Sequence, residues 1–421
     1  MLSSSHPDLS RPVPHDAPPR GRAPVLTWAA RLALAACALA AGGARAASDD
    51  GLHPYAGLLY SYDDNLFRLP DNSPGYDNTR ADTSRQLVAG LSFNQAYGRE
   101  VLTAQAKVSR VTFSHFTQLD YNGKDLSADL AWHLGNRLSG NLGGAYSEVL
   151  APYTDVVTSE RNLRTQKRAY AQGNWSFHPS WVARAGYNRN RYVYDLSSQA
   201  YNDRTDNQFE TGVDYLASSG STIGLQARSL RSSYDVPRLL GRQLIDNDSR
   251  QRELKLKVGW RVTPVTELQF LGGWAHRTHA YLTERDSSGA NARLSGNTLL
   301  GGAVRANASL WREFAPVESG LVSYSLNTGV SAGASWLLSA KLQLDAQTRH
   351  EKRAFKGLLA DSAGFDLSDR SHYNSLGLSY TPWRQVQLTA SLFRESRGGV
   401  AFINNGNYRA QGVSLNLNAQ Y

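Results

Sequence analysis

Apolar and polar residues alternate with a period of two along most of this chain, and that pattern limits what it can fold into. In Tyr408–Tyr421, YRAQGVSLNLNAQY, the residues Val413, Leu415, Leu417, Ala419 and Tyr421 take odd positions, and Ser414, Asn416, Asn418 and Gln420 take even ones. Such a segment is a strand with one apolar and one polar face, each meeting a different medium. The same alternation recurs at Leu87–Asn94, Leu102–Val108, Leu126–Trp132, Trp181–Tyr187, Leu254–Trp260, Leu342–Ala346 and Val386–Leu392. Two architectures use strands of this kind, a soluble sandwich and a membrane barrel. An aromatic on the apolar face at the last residue suits a barrel, where the ring sits at the lipid–water interface.

The connections between strands separate the two. Short ones lie near Tyr97–Glu100, Gly135–Arg137, His178–Ser180, Ser218–Gly220, Thr263–Thr266, Leu337–Ser339 and Thr381–Trp383, with a weakly marked one at Leu299–Gly302. Long polar ones lie near 63–81, 117–125, 150–164, 196–206, 236–249, 282–290, 314–321, 354–370 and 397–407, and the two kinds take turns. Eight short turns and nine long loops imply eighteen strands, within a range of 16–18. The expected fold is all-β: a single transmembrane antiparallel β-barrel with short periplasmic turns and long extracellular loops. Trp132, Trp175, Trp181, Tyr215, Trp260, Trp336, Tyr380 and Trp383 all fall close to short turns, as a periplasmic aromatic girdle would. The spacing of about 40 residues between Trp132, Trp175, Tyr215 and Trp260 also matches a propeller blade. A blade needs four strands, however, and each span here holds two long ones.

The mean hydropathy of −0.45 and the lack of an apolar run near ~20 residues exclude a helical membrane protein. They do not exclude a barrel, since only alternate residues face lipid. Residues 1–46 read as a signal peptide. Arg20, Arg22 and Arg31 precede the apolar stretch Leu32–Ala41, and Ala44-Arg45-Ala46 is a cleavage site. The segment before Val25 is unusually long, and a start near Val25 would leave a signal of ordinary length. Leu34–Cys37 resembles a lipoprotein box, but the apolar run continues past it. Residues 47–421 then form the barrel, destined for the Gram-negative outer membrane, and contain no cysteine. The net charge of +9 is spread along the chain, without polybasic runs or a nucleic-acid motif.

Several stretches resemble one family: RLPDNSPG (Arg68–Gly75), YNGKDL (Tyr121–Leu126), WSFHPSW (Trp175–Trp181), DYLASSGST (Asp214–Thr222), LIDND (Leu244–Asp248), TERDSSGANARL (Thr283–Leu294), VESGLVSYSLN (Val317–Asn327) and NYRAQGVSLN (Asn407–Asn416). They are similar to EpsL-type outer-membrane proteins of exosortase-associated exopolysaccharide loci, within the wider β-barrel porin 2 group. SYDDNLFRL (Ser61–Leu69) is shared more loosely with the wider group. The resemblance runs from about His53 to Tyr421 and implies export or assembly of an exopolysaccharide. The implied partners are outer-membrane lipid and lipopolysaccharide, the barrel-assembly machinery, the polysaccharide and other export proteins, with no nucleic acid. The long N-terminal segment departs from the family pattern. So does Asn297–Val304, which lacks a clear strand–turn–strand signal and leaves the pairing of strands twelve and thirteen open.

Chemistry-bearing residues are sparse. His276 and His279 lie three apart on a strand and point to opposite faces, so they do not form a metal site. Asp63, Asp64, Asp71, Asp77 and Asp82 crowd the first long loop, either as a divalent-cation site or as a solvated, turn-rich loop. Glu313 with Glu318, and Glu284 with Asp286, are the carboxylate pairs a glycosidase would need. They read as ordinary loop acids. The chain is therefore expected to have no enzyme activity, cofactor or metal. The face opposite the apolar one carries Lys107, Arg184, Asn188, Arg228, Lys255, Lys257, Arg305, Gln347 and Arg349 as lumen-lining residues, along with Asp129, Asp345, Tyr170, Tyr192 and Tyr194. An excess of Lys and Arg there favours anions, and tyrosine faces can stack on sugar rings. The expected function is a conduit for an acidic polysaccharide, with a general or nutrient-specific diffusion porin as the alternative. Val413, Leu415, Leu417 and Tyr421 are expected to face lipid on the barrel-closing strand.

Overall fold

The computed structural model describes residues 51–153, 158–240, 243–280, 283, 286–316, 324–356, 367–399 and 406–421. The expected signal peptide lies outside the described residues. The first nine strands are β1 (Leu52–Asp63), β2 (Asp82–Tyr97), β3 (Glu100–Phe113), β4 (Tyr121–Leu134), β5 (Leu138–Leu150), β6 (Leu163–His178), β7 (Trp181–Tyr194), β8 (Arg204–Leu216) and β9 (Thr222–Tyr234). A small hairpin, β10 (Arg238–Leu240) and β11 (Gln243–Ile245), sits in the loop that follows. The remaining strands are β12 (Ser249–Thr263), β13 (Thr266–His279), β14 (Ser287–Leu300), β15 (Val304–Pro316), β16 (Tyr324–Ser339), β17 (Leu342–Lys356), β18 (Ser368–Trp383), β19 (Val386–Gly398) and β20 (Tyr408–Gln420).

Apart from the hairpin, these strands form one antiparallel sheet of eighteen. Each pairs with its neighbours in the chain, and β1 pairs with β20 from Tyr55↔Gln420 to Asp63↔Gly412. The seam is extended by Tyr421 N–H donating to the Pro54 carbonyl at 2.9 Å, and by His53 Nδ1 donating to the Tyr421 carbonyl at 3.1 Å. The sheet is therefore a closed barrel. Its strands have 12–16 residues, longer than the ~9–11 a tilted strand needs to cross a membrane. The surplus rises above the apolar belt on the long-loop side.

The short turns differ in detail. Register shifts fall at Trp175/His178, Arg261/Thr263, Leu337/Ser339 and Tyr380/Trp383. Bulges at a barrel rim re-aim side chains, and here they occur beside the girdle aromatics. The open pairing at Asn297–Val304 resolves into an ordinary hairpin. Leu300 opposes Val304, and Gly301 and Gly302 make the turn at φ 56° and 73°. Positive φ at two successive residues is a glycine requirement. The sequence signal is weak because Gly296, Thr298, Ala306 and Ala308 share the outward face, so that face is hardly apolar.

Among the described residues no plug domain fills the barrel, but the first long loop folds into its mouth. Phe67 makes edge contacts with Tyr76, Phe116 and Tyr153 at 4.7–5.0 Å between ring centroids. Leu69, Val111, Phe113 and Leu119 complete this buried cluster. Asn65 ties the loop down: its Nδ2 donates to the Leu69 and Arg409 carbonyls, and its Oδ1 accepts from Leu69 N–H. Arg68 adopts φ 54° and is held by Asp63 at 2.8 Å and Glu395 at 3.1 Å. Burial alone would lower its pKa, but Asp63 and Glu395 raise it above the ordinary arginine value. Asp82 accepts from the backbone N–H groups of Thr83, Ser114, His115 and Phe116.

Asp82→Ala should free the His115 and Phe116 amides of the second long loop, whereas Ser114 N–H keeps the Thr83 carbonyl. A loss of about 2 kcal/mol of local stability is expected for hydrogen bonds to a charged acceptor, seen as proteolytic nicking near 114–120 at least tenfold faster in a barrel that stays heat-modifiable. Deletion of Gln420 and Tyr421 removes the last seam contacts and should impair membrane insertion. A normal yield of heat-modifiable barrel in the outer membrane would contradict that.

Candidate functional site: the barrel lumen

Directly opposed residues on neighbouring strands share a face, so one apolar row fixes the facing of every strand. Leu58 opposes Leu87 and Leu417, Leu417 opposes Leu388, and Leu388 opposes Tyr380. Followed around all eighteen strands, the apolar set stays on one face and returns to its start. Val413, Leu415 and Leu417 lie on this outer face, opposite Tyr62, Tyr60 and Leu58, and Tyr421 is exposed next to them. Trp132, Trp175, Trp181, Tyr215, Trp260, Trp336, Tyr380 and Trp383 also point outward, at the short-turn end. Trp175 pairs with Phe177, and Trp181 with Tyr215.

Lys107, Arg184, Asn188, Arg228, Lys255, Lys257, Arg305, Gln347 and Arg349 all take the opposite, inward face. Their environments differ from the expectation. Lys107 Nζ lies 2.8 Å from Asp125. Arg184 forks onto Asp214 at 2.8 and 3.0 Å, and Lys257 Nζ reaches the same carboxylate at 3.1 Å. Arg228 and Lys255 share Glu253, at 2.6 and 2.9 Å. Arg349 pairs with Glu351 at 2.7 Å. Each of these basic side chains thus has a carboxylate, whereas Arg305 has none among the described residues. Asn188 accepts from Arg168. The expected excess of positive charge is corrected accordingly: Asp125 and Asp214 meet their basic partners across strands, at registers the sequence does not reveal, whereas Glu253 and Glu351 stand two residues from Lys255 and Arg349 on the same strand face.

Inward glycines make the long-reach pairs possible. Gly224 stands between Lys257 and Asp214, opposed to both, and has no side chain to block the bridge over its strand. Gly273 does the same between Lys255 and Asn291, and Asn291 Nδ2 donates to Glu253. Tyr170 passes over Gly143 to donate its hydroxyl to Asp129. Trp311 lies over Gly329 and donates Nε1–H to Glu351 at 2.9 Å. A Cβ at Gly143 or Gly329 would lie 2.4 Å from the covering ring. Trp311 is also flanked by the guanidinium groups of Arg293 and Arg349, 5.2 and 4.7 Å from its ring centroid. Asp214, Glu253, Asn291, Trp311 and Glu351 are the lumen residues that sequence reading missed.

The other candidates are accounted for locally. His276 faces outward and His279 inward, so they do not converge. Among the described residues no group of three or more His, Cys, Asp or Glu can hold a metal ion. In the first long loop, Asp63 binds Arg68, Asp64 accepts from Gln411 N–H and Asp71 accepts from Arg409 N–H. These acids organise turns and do not converge on a cation. Glu313 pairs with Arg293 at 2.6 Å, and Asp286 accepts from His279 N–H. Glu284 and Glu318 lie outside the described residues.

No protein-family model matches the chain, and no curated protein matches it. Solved outer-membrane barrels are similar in shape. OpdK of Pseudomonas aeruginosa with vanillate has 11% identity and a TM-score of 0.48, over 88% of this chain and 99% of that one. OccK2 (OpdF) of the same organism, in complex with glucuronate, has 11% identity and a TM-score of 0.48, over 88% and 98%. OccAB3 of Acinetobacter baumannii has 10% identity and a TM-score of 0.46, over 88% and 99%. These likenesses assign neither a family nor a ligand to this chain, and nothing in them supports the EpsL-type resemblance.

Glu253 is the inward carboxylate shared by Arg228, Lys255, Gln251 and Asn291. Glu253→Leu removes the acceptor of all four, of which Lys255, Gln251 and Asn291 are buried. A loss of about 3–5 kcal/mol is expected from breaking such a buried pair, measured by urea unfolding of the reconstituted barrel. Glu253→Gln should cost less, because the amide oxygen still accepts.

Proposed function

We propose that the protein is a passive outer-membrane channel for small hydrophilic solutes. The observation that carries this reading is the inner wall. It is polar along its length, its charges are largely paired within and across strands, and its mouth is narrowed by the inward-packed first loop. A wall of fixed, neutralised ion pairs offers hydrogen bonds to hydroxyl-rich or zwitterionic solutes without a strong preference for either sign of charge. The loop limits the size of what enters.

Export of an acidic exopolysaccharide, with the export proteins that would hand it over, is the second reading. It drew on inward aromatic faces as stacking platforms. Two of the three tyrosines are occupied: Arg168 lies 4.8 Å from the Tyr170 ring centroid, and Arg204 lies 4.4 Å from that of Tyr192. A sugar would have to displace a cation–π contact worth about 0.5–2 kcal/mol at each.

In a planar bilayer the protein should give stable single-channel conductance with weak ion selectivity. Arg305→Glu alters the expected basic lumen position that has no carboxylate among the described residues. It should shift selectivity towards cations about twofold or more. A silent barrel, or one strongly selective for anions, would sink this reading. Gene deletion should slow uptake of small polar solutes and leave polymer secretion intact; loss of secreted polymer with normal uptake would favour export.

A further inference from the structure

The outer face holds a second chemistry that the lumen does not use. Above the apolar belt, at the long-loop end, outward strand positions carry Arg and Lys on most strands, whereas at the short-turn end they carry aromatics. The densest part spans β7, β8, β9 and β12. There Arg189 opposes Asn207, Asn207 opposes Arg231, and Arg231 opposes Arg250 in one continuous row. Arg252 lies one outward position further down β12, opposed to Ser229 and His276. All four arginines are exposed. None has a carboxylate partner among the described residues; the nearby Asp235 is engaged by Arg191 at 2.6 Å.

Like charges directly opposed across a strand pair destabilise a sheet, and Arg231 and Arg250 are such a pair. The arrangement calls for an external anion. Immediately below, on the same face, Phe209, Leu254 and Trp274 are 52%, 61% and 59% exposed. The row from Arg189 to Arg250 spans three strand spacings, about 14 Å, too wide for one phosphate and suited to two on a single headgroup. Asn207 and Ser229, between the arginines, can hydrogen-bond sugar hydroxyls.

We propose that this face binds a bis-phosphorylated, acylated glycolipid of the outer leaflet, with the lipid A part of lipopolysaccharide as the occupant. Arg189, Arg231, Arg250 and Arg252 take the phosphates by charge-assisted, forked hydrogen bonds. Phe209, Leu254 and Trp274 lie against the acyl chains. The inference rests on the outer-membrane part of the proposed function, with the long loops outside, and not on what passes through the lumen.

The test uses the purified full-length barrel in detergent, titrated with bisphosphoryl lipid A, dephosphorylated lipid A or phosphatidylglycerol. Binding is read by native mass spectrometry and by the rise in melting temperature. Bisphosphoryl lipid A should bind at least tenfold tighter than either of the others. The double variant Arg231→Gln/Arg250→Gln should lose that advantage, and Arg189→Gln/Arg252→Gln should weaken it. Without lipid, the first variant should be as stable as the parent or more so, since a repulsive pair is gone. Both should keep their bilayer conductance, which separates failure of this site from failure of the channel reading. Unchanged lipid A binding by the first double variant overturns the proposal. So does equal binding of dephosphorylated lipid A, or of phosphatidylglycerol, which would mark a surface for apolar chains or for any anionic lipid.

Discussion

The structure depends on pairing every backbone N–H and C=O within the bilayer. Lipid supplies no hydrogen-bond partner, so an open sheet edge there is costly and a sheet must close on itself. The β1–β20 ladder meets this requirement, running over nine opposed residue pairs. Closure has a second consequence. Because opposed residues share a face, a closed sheet of eighteen strands must carry one consistent inside and outside. A single slip of one residue would turn a strand's apolar set into the lumen. The register around the barrel satisfies this, with bulges confined to the short-turn rim.

Inside, the wall behaves more like a buried interface than like a lining of free charges. Lys257, Arg184 and Asp214 form one group; Arg228, Lys255, Glu253 and Asn291 form another. The longest reach in each crosses a strand at a glycine. The glycine abundance of the sequence, 36 residues, thus has a function beyond turns: inward glycines let one side chain reach a partner two strands away. Such pairs fix the tilt and spacing of three strands at once. They also neutralise charge on the inner wall, the basis of the weak selectivity proposed for the channel.

The two ends of the barrel solve different problems. The short-turn rim faces water and lipid with Trp and Tyr, whose rings are apolar but carry a polar tip. The long-loop rim carries arginines outside and a folded loop inside. That loop is built from local chemistry, with Asn65 and Asp82 each satisfying several backbone groups and Phe67 packed among three rings. Burial also pushes the Tyr153 hydroxyl pKa above its ordinary value.

Fold class, strand number, the alternation of turn lengths and the two faces of each strand were all legible in the residues alone. They follow from periodicity, which is local, and from the different media on the two sides of a membrane barrel. Leu415 and Trp260 could be placed outward, and Lys255 inward, from their immediate neighbours. The hairpin at Leu300–Val304 was less legible, because small residues on its outer face erase the period. Which inward charges are neutralised, which glycines are bridged and where the first loop goes came only with the folded barrel. Asp214 and Lys257 are 43 residues apart, and their meeting depends on the register of β9 against both its neighbours. Arg231 and Arg250 became a site only when β9 and β12 paired across the loop between them. Pairing across strands is a property of the closed sheet, and alternation within one strand carries no information about it.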